Sequence, residues 1–344
     1  MPGITDKNPS LQNMKELIAD FPRQIHRAIQ HSQEQAKTLP PANNLQNIYV
    51  AGMGGSAIGA DFVETFSRNQ RNIPMQTGKG YCLPAWVGAN TLAIASSYSG
   101  NTEETIASLE EMICRKAQTI VISSGGRLRE IAEQYHLPFL PLPEGQPAPR
   151  AALGWSLLMQ LQVLHHYGIT DGKLIHQMAA AADLLEEEQQ TIRQKAERIA
   201  GFISDKLPII YAADLLEPVA LRFRQQLAEN ANMLSCHHVF PEMNHNELVG
   251  WSGQYPQVAV VYLRNTQDEH PRIKLRMEIS KEIITRAASV FIELHAKGHS
   301  PVERSIYLVH LTDWVSAFAA DERQVDAMDI AAINFLKQQL ANKP

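Results

Sequence analysis

Two short stretches hold side chains whose types and spacing point to chemistry. Residues 49–62, YVAGMGGSAIGADF, place Gly52, Gly54, Gly55 and then Ser56 directly after an apolar run. Residues 96–105, SSYSGNTEET, gather Ser97, Ser99 and Thr102 around Gly100. Each glycine weakens regular structure and raises the entropy lost on folding, so this density needs a reason. A loop that leaves a parallel strand and opens a helix lies at the carboxyl edge of the sheet, where N–H groups and the helix dipole favour an anion. Glycines let the backbone approach that anion, and neutral hydroxyls add the short hydrogen bonds that a phosphate monoester accepts. A tight turn explains the glycines about as well, and simple helix capping explains Thr102. Neither explains three hydroxyls and a glycine at one strand end.

Other phosphate and nucleophile motifs fit less well. Gly52 to Ala57 match the dinucleotide pattern G-x-G-x-x-G/A, but that motif expects an acidic residue about 20 positions on, to hold a ribose. The corresponding stretch, RNIPMQTGKGY, contains neither Asp nor Glu. No Gly-Lys-Ser/Thr follows the glycines, and Ser56 lacks the G-x-S-x-G frame of a hydrolase nucleophile.

Three further residues are open to two readings each. Glu229, in AENANM, is an exposed helix-end glutamate or a carboxylate base, a role that partial burial suits. His245, in PEMNHNEL, is a surface-loop histidine or a proton shuttle working near neutral pH. Arg150, behind the prolines of PLPEGQPAPR, makes a structural ion pair or meets a developing oxyanion in an inter-domain cleft. Cys236, His237, His238, His245 and Glu247 are metal-ligand types, yet adjacent strand histidines point to opposite faces and no H-E-x-x-H or C-x-x-C frame is present. No metal is expected, there or at His295 and His299.

The elements that must position these residues alternate. Helical spacing over 11–38 ends at LPPAN; strands are expected at NIYVAG, IPMQTG, TLAIASS, QTIVISS and PFLPLP, with helices at SAIGADFVETFS, TEETIASLEEMICR and RLREIAEQY. Strands separated by helices imply a parallel sheet covered on both faces. A proline-rich break at 141–150 precedes an apolar helix and then a charged one over about 173–206, a bridge between halves. The second half repeats the outline with strands LPIIYAAD, QVAVVYLR and SVFIELHA, helices PVALRFRQQLAENAN and RIKLRMEISKEIITRA, and helices near 301–320 and 327–341. Where the first half has AGMGGSAIGADF, the second has AADLLEPVALRF, without glycine. The expected fold is α/β, two doubly wound domains over 1–150 and 207–344, each a parallel sheet flanked by helices, joined by a helical connection over 151–206.

Composition sets outer limits. The 344 residues carry 31 basic and 36 acidic side chains, a net charge of −5, which leaves no electrostatic footprint for nucleic acid or anionic lipid. The three cysteines, Cys82, Cys114 and Cys236, read as reduced thiols buried as small apolar groups in a cytoplasmic protein. The opening MPGITDKNPSLQNMKEL has neither the basic start nor the apolar run of a signal peptide, and no stretch approaches the length of a bilayer span.

The pair GMGGSAIG and SYSGNTEET resembles the sugar-isomerase (SIS) domain. With PAPRAALGW, AENANMLSCHHVFPEMNHNELVGW and the lysine of INFLKQQL, in order over nearly the whole chain, the sequence resembles the bifunctional phosphoglucose/phosphomannose isomerase family. That resemblance implies a cofactor-independent homodimer interconverting glucose 6-phosphate and mannose 6-phosphate with fructose 6-phosphate through an enediolate. It implies Glu229 as the base between C2 and C1, His245 and Lys337 as ring-opening groups, and Arg150 as the partner of the enediolate. Ser56, Ser97, Ser99, Thr102 and the backbone of Gly54 and Gly55 would hold the phosphate. An isomerase of another sugar phosphate, or a non-catalytic sugar-phosphate sensor, would keep the same two loops.

Overall fold

The structure, a computed structural model, describes residues 9–342; the first eight residues of the opening read above lie outside that range. The helical spacing over 11–38 is met by two helices, α1 (Pro9–Ala19) and α2 (Phe21–Ala36). Pro22 sits in the first turn of α2, where its missing N–H costs nothing, and so marks a new start. The chain forms two compact units. One holds Asp20–Glu186 and Gly298–Glu303; the other holds the residues up to Ala19, Glu187–Lys297 and Arg304 onward.

The first unit is built on β1 (Asn47–Ala51), α3 (Gly54–Ser67), β2 (Met75–Gly78), β3 (Thr91–Ser96), α4 (Glu103–Cys114), β4 (Gln118–Ser123), α5 (Gly126–Gln134) and β5 (Phe139–Pro141). A 3-10 turn (Pro149–Ala152), α6 (Leu153–His166) and the first part of α7 (Lys173–Ile203) complete it. The five strands are all parallel, in the order β2-β1-β3-β4-β5. β3 is buried at every position, as expected of a central strand with both faces covered. Tyr49, Ala51, Ala93 and Ala95 pack beneath Leu109 and Met112 of α4 and Leu128 and Ile131 of α5. On the other side α6 packs against α2 and α3. The order reverses direction between β1 and β3, and their carboxyl ends carry the two loops singled out by composition. Open α/β sheets bind ligands at such a switch point.

The second unit continues from α7 into β6 (Leu207–Ala213), a 3-10 turn (Asp214–Leu216), α8 (Glu217–Ala231) and β7 (Cys236–Phe240). Two further 3-10 turns (Glu242–His245, Glu247–Ser252), β8 (Tyr255–Arg264), α9 (Pro271–Ala287), β9 (Ala288–His295), α10 (Pro301–Arg323) and α11 (Ala331–Ala341) follow. Its strands are parallel in the order β7-β6-β8-β9, the same winding as β2-β1-β3-β4. The repeated outline is therefore one topology used twice. Rings fill one face of this sheet: Tyr262 stands edge-on to Tyr211 at 5.8 Å and to Phe291 at 4.7 Å. β7 is the strand that the strand-by-strand reading of the second half does not count; it lies at the sheet edge and pairs only with β6.

The cysteine expectation is corrected in one respect. All three thiols are free, but all three are exposed: Cys82 in the loop after β2, Cys114 in the last turn of α4 and Cys236 at the start of edge strand β7. Their positions at element ends, away from the inward faces, leave them outside the cores. No described helix is long and apolar enough to cross a membrane.

Candidate active site

The two loops at the switch point are tied together by hydroxyls. The Tyr98 N–H donates to Ser56 Oγ at 3.2 Å, which links the loop after β3 to the first turn of α3. Ser97 Oγ and Thr102 Oγ1 share a hydrogen bond of 2.8 Å, and the Gly100 N–H donates to Ser97 Oγ at 3.2 Å. Ser56 and Ser97 are buried, whereas Ser99 is exposed and accepts from the Asn101 N–H at 3.3 Å. Thr102 is the N-cap residue of α4 but makes no capping bond with its side chain; its hydroxyl turns to Ser97 instead. Met53, the N-cap residue of α3, has no side chain able to cap. Two helix N-termini without side-chain caps thus stand at the ends of the paired strands β1 and β3 together with three hydroxyls, an arrangement suited to an oxyanion.

Two glycines show why the loops cannot carry side chains. A Cβ on Gly55 would lie 3.0 Å from the Pro149 carbonyl oxygen and 3.5 Å from Arg150 Cα. The bare backbone of Gly55 therefore admits the turn that carries Arg150, so the glycine serves close packing as well as any ligand. Gly100 has φ +70°, and a Cβ there would meet the Gly125 carbonyl oxygen at 1.8 Å. Gly54, also at positive φ (+48°), opens α3 with no neighbour in reach of a Cβ. The first unit therefore brings Gly54, Gly55, Ser56, Ser97, Ser99 and Thr102 to one sheet edge, with the backbone of Arg150 against them. The Arg150 side chain is buried in its 3-10 turn.

Sequence reasoning missed the residues that brace this edge. Tyr98 OH donates to the Pro143 carbonyl at 2.7 Å and accepts from the Gln146 N–H at 2.9 Å. It fastens the hydroxyl loop to the proline-rich segment ahead of Arg150, and burial raises its phenol above the ordinary range. Ser124 Oγ donates to the Tyr98 carbonyl at 2.7 Å from the next strand end. A tyrosine inside SYSG carries no periodic signal that would have announced this role.

Glu229, His245 and Lys337 lie on three elements of the second unit. Glu229 is half-buried in the last turn of α8. His245 ends the 3-10 turn after β7 and is exposed, as is Lys337 on α11. The segment around His245 is pinned on both sides. Asn244 Nδ2 donates to Ser280 Oγ of α9 at 2.8 Å, and the Glu247 carboxylate is shared between Tyr211 OH and His238 Nδ1, the latter at 2.8 Å. Trp251 Nε1 donates to Tyr211 OH at 3.0 Å and closes the chain of contacts. Glu247 is thus occupied in holding a turn, a use that its proximity to histidines in sequence did not disclose.

Fold and site together define a sugar-isomerase-type α/β protein with glycine and hydroxyl loops at the switch point of its first sheet. The family described as bacterial phospho-glucose isomerase C-terminal SIS domain matches residues 192–340. The chain is 33% identical to a bifunctional phosphoglucose/phosphomannose isomerase of Caldicellulosiruptor bescii, over 95% of this chain and 99% of that protein. It is 35% identical to one of Aquifex aeolicus, over 89% and 92%. Among solved structures, the C-terminal domain of glucosamine-fructose-6-phosphate aminotransferase from Francisella tularensis superposes with a TM-score of 0.73 at 15% identity, covering 92% of this chain and 97% of that one. The chain belongs to the bifunctional phosphoglucose/phosphomannose isomerase family, and it is an isomerase acting on sugar phosphates.

Proposed function

We propose that the protein interconverts glucose 6-phosphate and mannose 6-phosphate with fructose 6-phosphate through an enediolate. The observation that carries this reading is the hydroxyl cluster of Ser56, Ser97 and Thr102 at two helix N-termini without side-chain caps. Those groups, with Ser99 and the amides of Gly54 and Gly55, hold the phosphate. His245 and Lys337 open the ring, Glu229 moves the proton between C2 and C1, and Arg150 stabilises the oxyanion that develops, an interaction that strengthens in the transition state. The intermediate is planar at C2, so reprotonation from either face yields the two epimeric aldoses. Purified protein incubated with fructose 6-phosphate in EDTA is expected to yield both glucose and mannose phosphates. One aldose alone would narrow the activity, and neither would favour a sensor or a different sugar phosphate.

The working form we propose is a homodimer that shares its active sites. Helix α8 runs antiparallel to the strands, so Glu229 near its end lies toward the amino edge of the second sheet, whereas His245 follows the carboxyl end of β7. The five residues of β7 alone separate those edges by about 17 Å, too far for both side chains to reach one hexose. A second chain is the natural source of the missing group. α11 supports association, since it exposes Ile333, Phe335, Leu336 and Leu340 beside Lys337, and contiguous exposed apolar surface marks interaction sites. Glu229→Gln and His245→Ala variants are each expected to be inactive alone. Mixed after subunit exchange, they should recover about a quarter of wild-type activity, because half the dimers are mixed and one of their two sites is intact. No recovery would mean that both groups act within one chain.

A further inference from the structure

A set of buried polar contacts joins α8 to α10 in the second unit, and it has a direction. Arg222, Gln226 and Asn230 recur every four residues along α8, one stripe on one face. Arg222 Nε and Nη2 donate to the two Asp313 oxygens at 3.0 and 2.7 Å, and the Gln226 side chain bonds the same carboxylate. Asn230 Nδ2 donates to Ser316 Oγ at 2.9 Å, and Ser316 Oγ donates onward to the Asp313 carbonyl at 2.7 Å. All five side chains are buried. Arg323, in the last turn of α10, then caps α8: its Nε donates to the Ala231 carbonyl at 2.9 Å, and its Nη1 donates to the Ser204 carbonyl at 2.8 Å.

Such a ladder is a poor way to gain stability. Burial lifts the Asp313 carboxyl above its usual range, while Arg222 and Gln226 pull it back, and a buried ion pair commonly does no better than packed apolar groups of the same size. Its use lies in geometry. Apolar surfaces let a helix slide or turn slightly, whereas paired rungs fix both register and rotation. Side-chain atoms ride at about 5–6 Å from a helix axis, so a 20° turn displaces them by about 2 Å, and a misplacement of about 1 Å can cost 10²-fold in rate.

We propose that the rungs on Asp313 and Ser316, with the Arg323 cap, are positioning residues that set the rotation and end-point of α8 and thereby aim Glu229. The proposal rests on the reading of Glu229 as the base. Glu229 adjoins the last rung, Asn230, and precedes the capped carbonyl of Ala231 by two residues.

The test compares Asp313→Asn and Arg323→Met with Met112→Ala, which thins the core of the first unit at the end of α4 remote from Thr102 without touching the ladder. Each is assayed with fructose 6-phosphate, with kcat normalised to folded protein by circular dichroism. The two ladder variants are expected to lose about tenfold or more in kcat with KM within twofold, and Arg323→Lys to recover most of the loss at the exposed cap. Met112→Ala is expected to lower the melting temperature with kcat per folded enzyme within twofold. Equal losses in ladder and core variants, or loss in KM alone, overturn the positioning role. Glu229→Gln separates the two failures: if it is inactive while the ladder variants are normal, only the positioning proposal falls, and if it is active, the base assignment falls and takes the proposal with it.

Discussion

Glu229→Gln is expected to lower kcat about 10³-fold while KM for fructose 6-phosphate stays within about threefold, because positioned general bases contribute about 10²–10⁴ to rate and a neutral amide cannot accept the proton that leaves C1. The substitution keeps the volume and the half-buried position at the end of α8, so a loss cannot be assigned to packing. The residues proposed to hold the phosphate lie in the first unit and are left untouched by this variant, so ground-state affinity should persist. Exchange of a C1 hydrogen of fructose 6-phosphate with deuterated water gives a second reading. It should vanish with kcat, because exchange requires the same proton abstraction. Turnover near the wild-type rate would remove Glu229 from the mechanism.

Gly100→Ala is expected to produce the opposite pattern, a rise of about 10²-fold in KM. The added Cβ would stand 1.8 Å from the Gly125 carbonyl oxygen, and φ is +70°; both obstacles are backbone, which cannot swing aside. Gly100 is also held from both of its own polar groups. Its N–H donates to Ser97 Oγ at 3.2 Å, and its carbonyl accepts from the Leu128 N–H at 2.9 Å. A loop forced to move loses the Ser97–Thr102 pair, and hydrogen bonds to a charged ligand are worth about 1.5–3 kcal/mol each. Gly54→Ala provides the contrast. Its φ is +48° but nothing lies within 4 Å of the added carbon, so only the strain of a left-handed alanine, roughly 1 kcal/mol, applies. A Gly100→Ala enzyme with KM within threefold of wild type would remove the hydroxyl loop from phosphate binding.

The parts of the molecule that were legible in the sequence are those where one physical demand acts alone. β1, β3 and β4 of the first sheet are apolar runs because both faces are covered, and the two loops at its switch point stand out because three hydroxyls and a glycine have few other reasons to gather at one strand end. β7 was harder to see. CHHVF is an edge strand, so half of its surface tolerates polar groups and no clear alternation survives. The burial of Arg222 and Asp313 has no signal in the sequence, because a helix period shows only that each shares a face with something, and their burial depends on each other. Thr102 was ambiguous between cap and ligand, and only its bond to Ser97 decides that it is not a side-chain cap. The distance between Glu229 and His245, although they are only sixteen positions apart, follows from strand direction, which no local pattern conveys.

The second sheet copies the winding of the first, yet the helix after its opening strand starts behind Leu216, which is fully buried. Where one repeat opens its helix on bare glycine backbone, the other has been stoppered with hydrocarbon. On the proposed assignment of the phosphate and of Glu229, a duplicated scaffold needs only one anchor per chain, which leaves the plugged copy free to specialise in the reactive end of the sugar.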